Sequence, residues 1–168
     1  MSKQSWAMRL RQTLQQSAKA DQPPRVAVLG IGHELNGDDA AGLAVVRSLT
    51  LQQDRLLLIV AGPAPENQTG ALRAFDPDLV LLIDAAQMGA EPGTVRLLDW
   101  QATTGISAST HTMPLHMLAK FLTLDLGCDV ALLGIQPFAN AIDAPLSLEM
   151  QAVVGDVVRE LTAALRAD

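Results

Sequence analysis

Apolar residues in this chain follow two periods that alternate along its length. Arg25 to Gly30, Leu56 to Val60, Leu79 to Asp84 and Val130 to Gly134 are short, nearly unbroken apolar runs that end in Gly, Asp or a small-residue loop. Such runs predict strands covered on both faces. Between them the spacing becomes helical. Residues 39–50 put Ala41, Ala44, Val45, Ser48 and Leu49 on one face, and shorter helices are predicted over 67–75 and 112–124. Met150, Val153, Val154, Val157, Leu161, Ala164 and Leu165 describe a long amphipathic closing helix. Thr94 to Leu98 follows the preceding strand too closely for a helical crossover, so it is expected to run antiparallel. The alternation predicts an α/β fold: a doubly wound, mostly parallel five-stranded sheet with helices on both faces.

Residues 1–20 carry no acid and place Trp6, Leu10 and Leu14 at helical spacing, and Asp21-Gln22-Pro23-Pro24 ends that pattern. The expected division is an N-terminal amphipathic extension over 1–24 and one α/β domain over 25–168. Composition narrows the partners. A net charge of -6 argues against a nucleic-acid surface, which needs Lys and Arg to displace counterions. No apolar run approaches the roughly 18 residues of a membrane span. The single cysteine, Cys128, excludes an internal disulfide framework and suits a reducing cytoplasm, the expected location.

In sheets of this kind ligands collect beyond the carboxyl ends of the strands. Three segments deliver polar groups there. The loop after the first strand carries His33, Glu34, Asp38 and Asp39; the third strand ends on Asp84; and Ser109-Thr110-His111-Thr112 opens a helix. Each has a duller explanation alone: a helix cap, a bond to loop amides, a solvated side chain. Two carboxylates and an imidazole at one crevice make a hard-to-borderline metal site with open coordination positions. Asp38 is expected to cap the helix and Asp39 to face the crevice. Two rival sites fit less well. Gly30-Ile31-Gly32 starts a dinucleotide fingerprint, but Leu35 stands where its third glycine belongs, and acids oppose a pyrophosphate. A phospho-receiver needs a lysine after the last strand, where Gly134-Ile135-Gln136-Pro137 stands.

Five motifs in order resemble one family: Gly30-Ile31-Gly32…Gly37-Asp38-Asp39…Gly42; Ala64-Pro65-Glu66-Asn67; Ile83-Asp84-Ala85…Met88-Gly89…Pro92-Gly93; Thr110-His111-Thr112-Met113-Pro114-Leu115; and Gly134-Ile135-Gln136-Pro137. The chain is similar to the hydrogenase maturation endopeptidases, nearest the branch that serves formate-hydrogenlyase-type nickel-iron (NiFe) hydrogenases. The resemblance implies an endopeptidase that acts once on each large-subunit precursor, cutting off a C-terminal extension. It implies that Asp39, Asp84 and His111 grip nickel already carried by that precursor. The metal would then polarise the scissile carbonyl and activate water, with no Ser, Cys or Thr nucleophile. His33, Gly62 and Asp38 are the further residues expected to touch substrate.

Two positions depart from the family pattern. His33 stands where Asn is usual, and Val60-Ala61-Gly62 stands in place of an Asp-Gly-Gly type segment thought to help select the cut site. Val60 motivates an alternative reading: a degenerate, non-cleaving homologue that docks a metalloprotein in a metal-dependent way.

Overall fold

The computed structural model describes residues 3–102, 107–108 and 113–166. Five strands form the main sheet in the order β2-β1-β3-β6-β4. They are β1 (Val26–Ile31), β2 (Leu56–Gly62), β3 (Leu79–Gln87), β4 (Val95–Asp99) and β6 (Asp129–Ile135), and a two-residue β5 (Ser107–Ala108) pairs with the end of β3. β1, β2, β3 and β6 run parallel, whereas β4 runs antiparallel to β6. The central strands β1, β3 and β6 are the ones written as continuous apolar runs, because helices cover both their faces. The edge strands β2 and β4 are only half-buried.

The side-chain period of two divides the core cleanly. Val26, Val28, Leu79, Leu81, Ile83 and Leu133 point to one face, against α1 (Lys3–Ser17), α2 (Ala41–Ser48) and α5 (Leu148–Leu165). Ala27, Leu29, Val80, Leu82 and Leu132 point to the other, against α3 (Thr69–Phe75) and α4 (Leu115–Leu126). The N-terminal segment is part of this packing. Trp6, Ala7, Leu10 and Leu14 of α1 are buried against β4 and α5, and the Ser17 hydroxyl donates to Asp129 Oδ2 at 2.7 Å. Among the described residues no helix is long and apolar enough to cross a membrane.

Several boundaries differ from expectation: α4, expected over 112–124, runs over Leu115–Leu126, and α3, expected over 67–75, starts at Thr69. The second helix begins only at Ala41, after a tight 3-10 turn over Gly37–Ala40. β3 runs to Gln87, so Asp84 lies inside a strand and pairs in register with Gly134. β2 extends to Gly62 through an irregularity: Gly30 pairs with Val60 but Ile31 with Gly62, leaving Ala61 as an extra residue.

Candidate active site

The chain steps from β1 to one side to make β2, then returns to the other side to make β3. The crevice between the carboxyl ends of β1 and β3 is therefore the topological switch point, where open α/β sheets bind ligands. The β1–β3 pairing stops at Gly30 and Ile83, so Asp84 is the first β3 residue beyond it. Its carboxylate is fully buried, on the sheet face that α4 covers by the alternation of the strand.

Glycines bring the second acid to the same place. A Cβ on Gly42, in the first turn of α2, would stand 2.2 Å from the Ile83 carbonyl oxygen and 2.5 Å from that of Ile31. Only a residue without a side chain lets the helix start rest directly on the ends of β1 and β3. Gly32, at φ +143°, would put a Cβ 1.9 Å from the Asp39 carbonyl oxygen. The spacing Gly-x-Gly…Gly-Asp-Asp…Gly is thus a close-packing device. It presses the 3-10 turn carrying Asp38 and Asp39 onto β3, the strand that carries Asp84.

Within that turn the neighbouring acids diverge. Asp38 makes no capping bond to the helix; the expectation that it is a cap is corrected. Its Oδ2 accepts the amides of Phe138 (2.8 Å) and Ala139 (3.0 Å), and its Oδ1 accepts the amide of Ser147 (3.0 Å). The carboxylate is fully buried and fastens the β1–α2 turn to the β6–α5 loop. A bridge between Asn36 and Ala144 and the Asp38 amide bond to the Ala139 carbonyl reinforce the joint. Asp39 is likewise buried, and its Oδ2 accepts the His33 amide at 3.1 Å. His33 itself is exposed, in a groove shared with Gly32, Glu34, Leu35, Val60 and Gly62. His111 lies outside the described residues. Of the predicted metal-binding trio the described structure buries two acids, Asp39 and Asp84, on a turn and a strand that touch each other, and among the described residues no group of three His, Cys, Asp or Glu forms a metal cage.

Gln136, named in the sequence only as part of a motif and given no role there, organises the turn that follows β3. Buried just past β6, its side-chain oxygen accepts the Met88 amide at 2.7 Å, and its amide nitrogen donates to Gln87 Oε1 at 2.8 Å. Its backbone holds Gly93 and Thr94, so one residue shapes the whole turn from β3 to β4 beside Asp84. The available signal was an amide side chain directly after a fully apolar strand. Cys128 lies at the opposite, amino end of the sheet, where burial pushes its thiol up to about 11. It is no nucleophile for this crevice.

Comparison with known proteins bears on the family and the fold. The sequence pattern of the family described as hydrogenase maturation protease matches residues 43–164. The hydrogenase 3 maturation protease of Escherichia coli K12 is 33% identical over 136 residues, covering 80% of this chain and 86% of the relative. The crystal structure of a NiFe hydrogenase maturation protease, HycI, from Thermococcus kodakarensis superposes with a TM-score of 0.79 at 30% identity, over 85% of this chain and 93% of the other. The solution structure of an endopeptidase HycI from Escherichia coli gives 0.69 at 31% identity, over 82% and 89%.

Proposed function

The chain belongs to the hydrogenase maturation protease family, and from that premise we propose that it removes the C-terminal extension of a nickel-loaded NiFe hydrogenase large-subunit precursor. Two buried carboxylates at the switch point, Asp39 and Asp84, carry this reading. Burying two like charges on touching elements is costly unless a cation or proton neutralises them, and the nickel of an arriving precursor does so. His111 is the third ligand in this scheme. It sits four positions before α4, the helix on the Asp84 face that leads into the amino end of β6 and so starts at the carboxyl edge.

The ion belongs to the substrate, so the protein needs no resident metal and acts only on precursors already loaded. Asp39 and Asp84 hold the ion, the scissile carbonyl is polarised against it, and water attacks. His33 lines the way in, and Gly62 lies on the substrate side of the groove. Asp38, with both oxygens taken by backbone amides, supports substrate binding by holding the loops in register. The reaction belongs in the cytoplasm, where Cys128 stays reduced.

The test is mass spectrometry of a nickel-loaded precursor incubated with the protein. Loss of the C-terminal extension is expected, along with no cutting of the nickel-free precursor and none by Asp39→Ala. A loaded precursor that is pulled down in a metal-dependent way but stays intact would replace the endopeptidase with the non-cleaving docking homologue.

A further inference from the structure

The loop from β6 to α5 is pinned at its base. The amides of Phe138 and Ala139 at one end and of Ser147 at the other all donate to the Asp38 carboxylate, at 2.8, 3.0 and 3.0 Å. Residues 138–147 therefore close on one side chain, as a compact surface loop of the Ω kind. Its middle is tied down as well. The Gly37 amide donates to the Ala144 carbonyl and the Asp38 amide to the Ala139 carbonyl, both at 3.0 Å. Gly37, at φ +58°, lets the loop lie this close, because a Cβ there would stand 2.9 Å from the Ala139 carbonyl oxygen and 3.0 Å from the Ala141 nitrogen.

What this rigid loop displays is apolar. Ile142 is 84% exposed, and Leu148, just past the loop at the start of α5, is 79% exposed. These are the two most exposed large apolar side chains among the described residues. Phe138 adds part of its ring, the remainder lying on the β3–β4 turn, where a Cβ on Gly93 would come within 2.8 Å of it. One exposed aliphatic side chain is ordinary on a protein surface. Three on a single clamped loop, whose backbone cannot turn them inward, mark a contact surface.

The loop stands beside the crevice. β6 enters it from Gly134, the register partner of Asp84, and its clamp is Asp38, the chain neighbour of Asp39. Charge narrows the occupant, since residues 136–149 carry Asp143 and Glu149 and no base. We infer that this loop docks the folded body of the large-subunit precursor, which meets it with an apolar patch bordered by lysine or arginine. The inference rests on the endopeptidase reading for its partner. The occupant follows from continuity with the crevice: a body seated on the loop is held beside the acid that its own C-terminal segment must reach. Asp38 then fixes the docking face and Asp39 relative to each other, so seating the body also aims the segment to be cut.

The probe is the full-length nickel-loaded precursor, with its binding to the full chain and its cutting measured separately. The double variant Ile142→Ser, Leu148→Ser is expected to raise Kd and KM together by at least about tenfold and to leave kcat unchanged. Glu149→Gln should flatten the salt dependence of binding. Leu124→Ser removes a comparably bare side chain, 75% exposed, from α4 and should leave both constants alone. All of these groups face solvent, so the variants should melt as the wild type does. Wild-type affinity in the double variant, or an equal loss in Leu124→Ser, would overturn the docking surface. So would a dimer of the chain alone, seen by sedimentation and dissolved by the double variant, which would give this face to a second copy. A precursor whose binding depends on Ile142 and Leu148 but which stays uncut would refute the endopeptidase and keep the surface.

Discussion

Asp38 and Asp39 are adjacent, both acidic and both buried, yet their replacement should fail in opposite ways. Asp38→Ala removes the acceptor for three amides of a loop about a hundred positions away in the chain. A hydrogen bond to a charged acceptor is worth about 1.5–3 kcal/mol, which makes roughly 4.5–9 kcal/mol the ceiling for the three. The β6–α5 loop is near the surface and can open to hydrate its amides, which brings the expected loss to about 3–5 kcal/mol. For a chain of this size that is roughly 10 °C or more in Tm. Asp38→Asn should fall between: one oxygen still serves Phe138 and Ala139, but its amide group now faces the Ser147 amide, donor against donor. Asp39→Asn keeps an acceptor for His33 and should cost about 1 kcal/mol or less, while abolishing precursor cutting. Urea unfolding with coincident fluorescence and circular dichroism gives the stabilities; mass spectrometry gives the cutting. Asp38→Ala within about 1 kcal/mol of wild type, or Asp39→Asn as damaging to stability as Asp38→Ala, would refute the division between a fastening acid and a reacting one.

Gly42→Ala should destabilise by about 1–3 kcal/mol and slow cutting, because its Cβ meets two backbone carbonyls and must lift Asp39 away from Asp84; unfolding and cutting assays report each part. Leu10→Ala should cost about 2–5 kcal/mol in urea unfolding, since α1 is packed into the shared core, and a value near zero would make that helix an appendage. The Cys128 thiol, raised in the folded state to about 11 from 9.0, adds stability below pH 9 that is lost as pH rises toward 11. The unfolded chain ionises first, so stability should fall by about 2 kcal/mol between pH 8 and pH 10.5. Comparing wild type with Cys128→Ala at pH 8 and pH 10.5 isolates this fall.

Much of the architecture was legible along the chain because burial on two faces writes itself into consecutive residues. Apolar runs marked β1, β3 and β6, helical spacing marked α2 and α5, and the short return to β4 disclosed its antiparallel direction. The ordered motifs carried the family, since close-packing glycines and the acids they position must recur together. Asp39 and Asp84 could be picked out for the same reason. Tertiary structure decided what depended on partners distant in sequence. Nothing local distinguishes Asp38 from Asp39; the amides of Phe138, Ala139 and Ser147 do. Gln136 took its meaning from a turn some fifty positions earlier. The bulge at Ala61, the exposure of Val60 in a recess beside the acid, and the docking of α1 onto β4 and α5 follow from how elements meet rather than from what each prefers. Periodicity is a local property of the chain, whereas which buried group satisfies which amide is settled only when the loops close on one another.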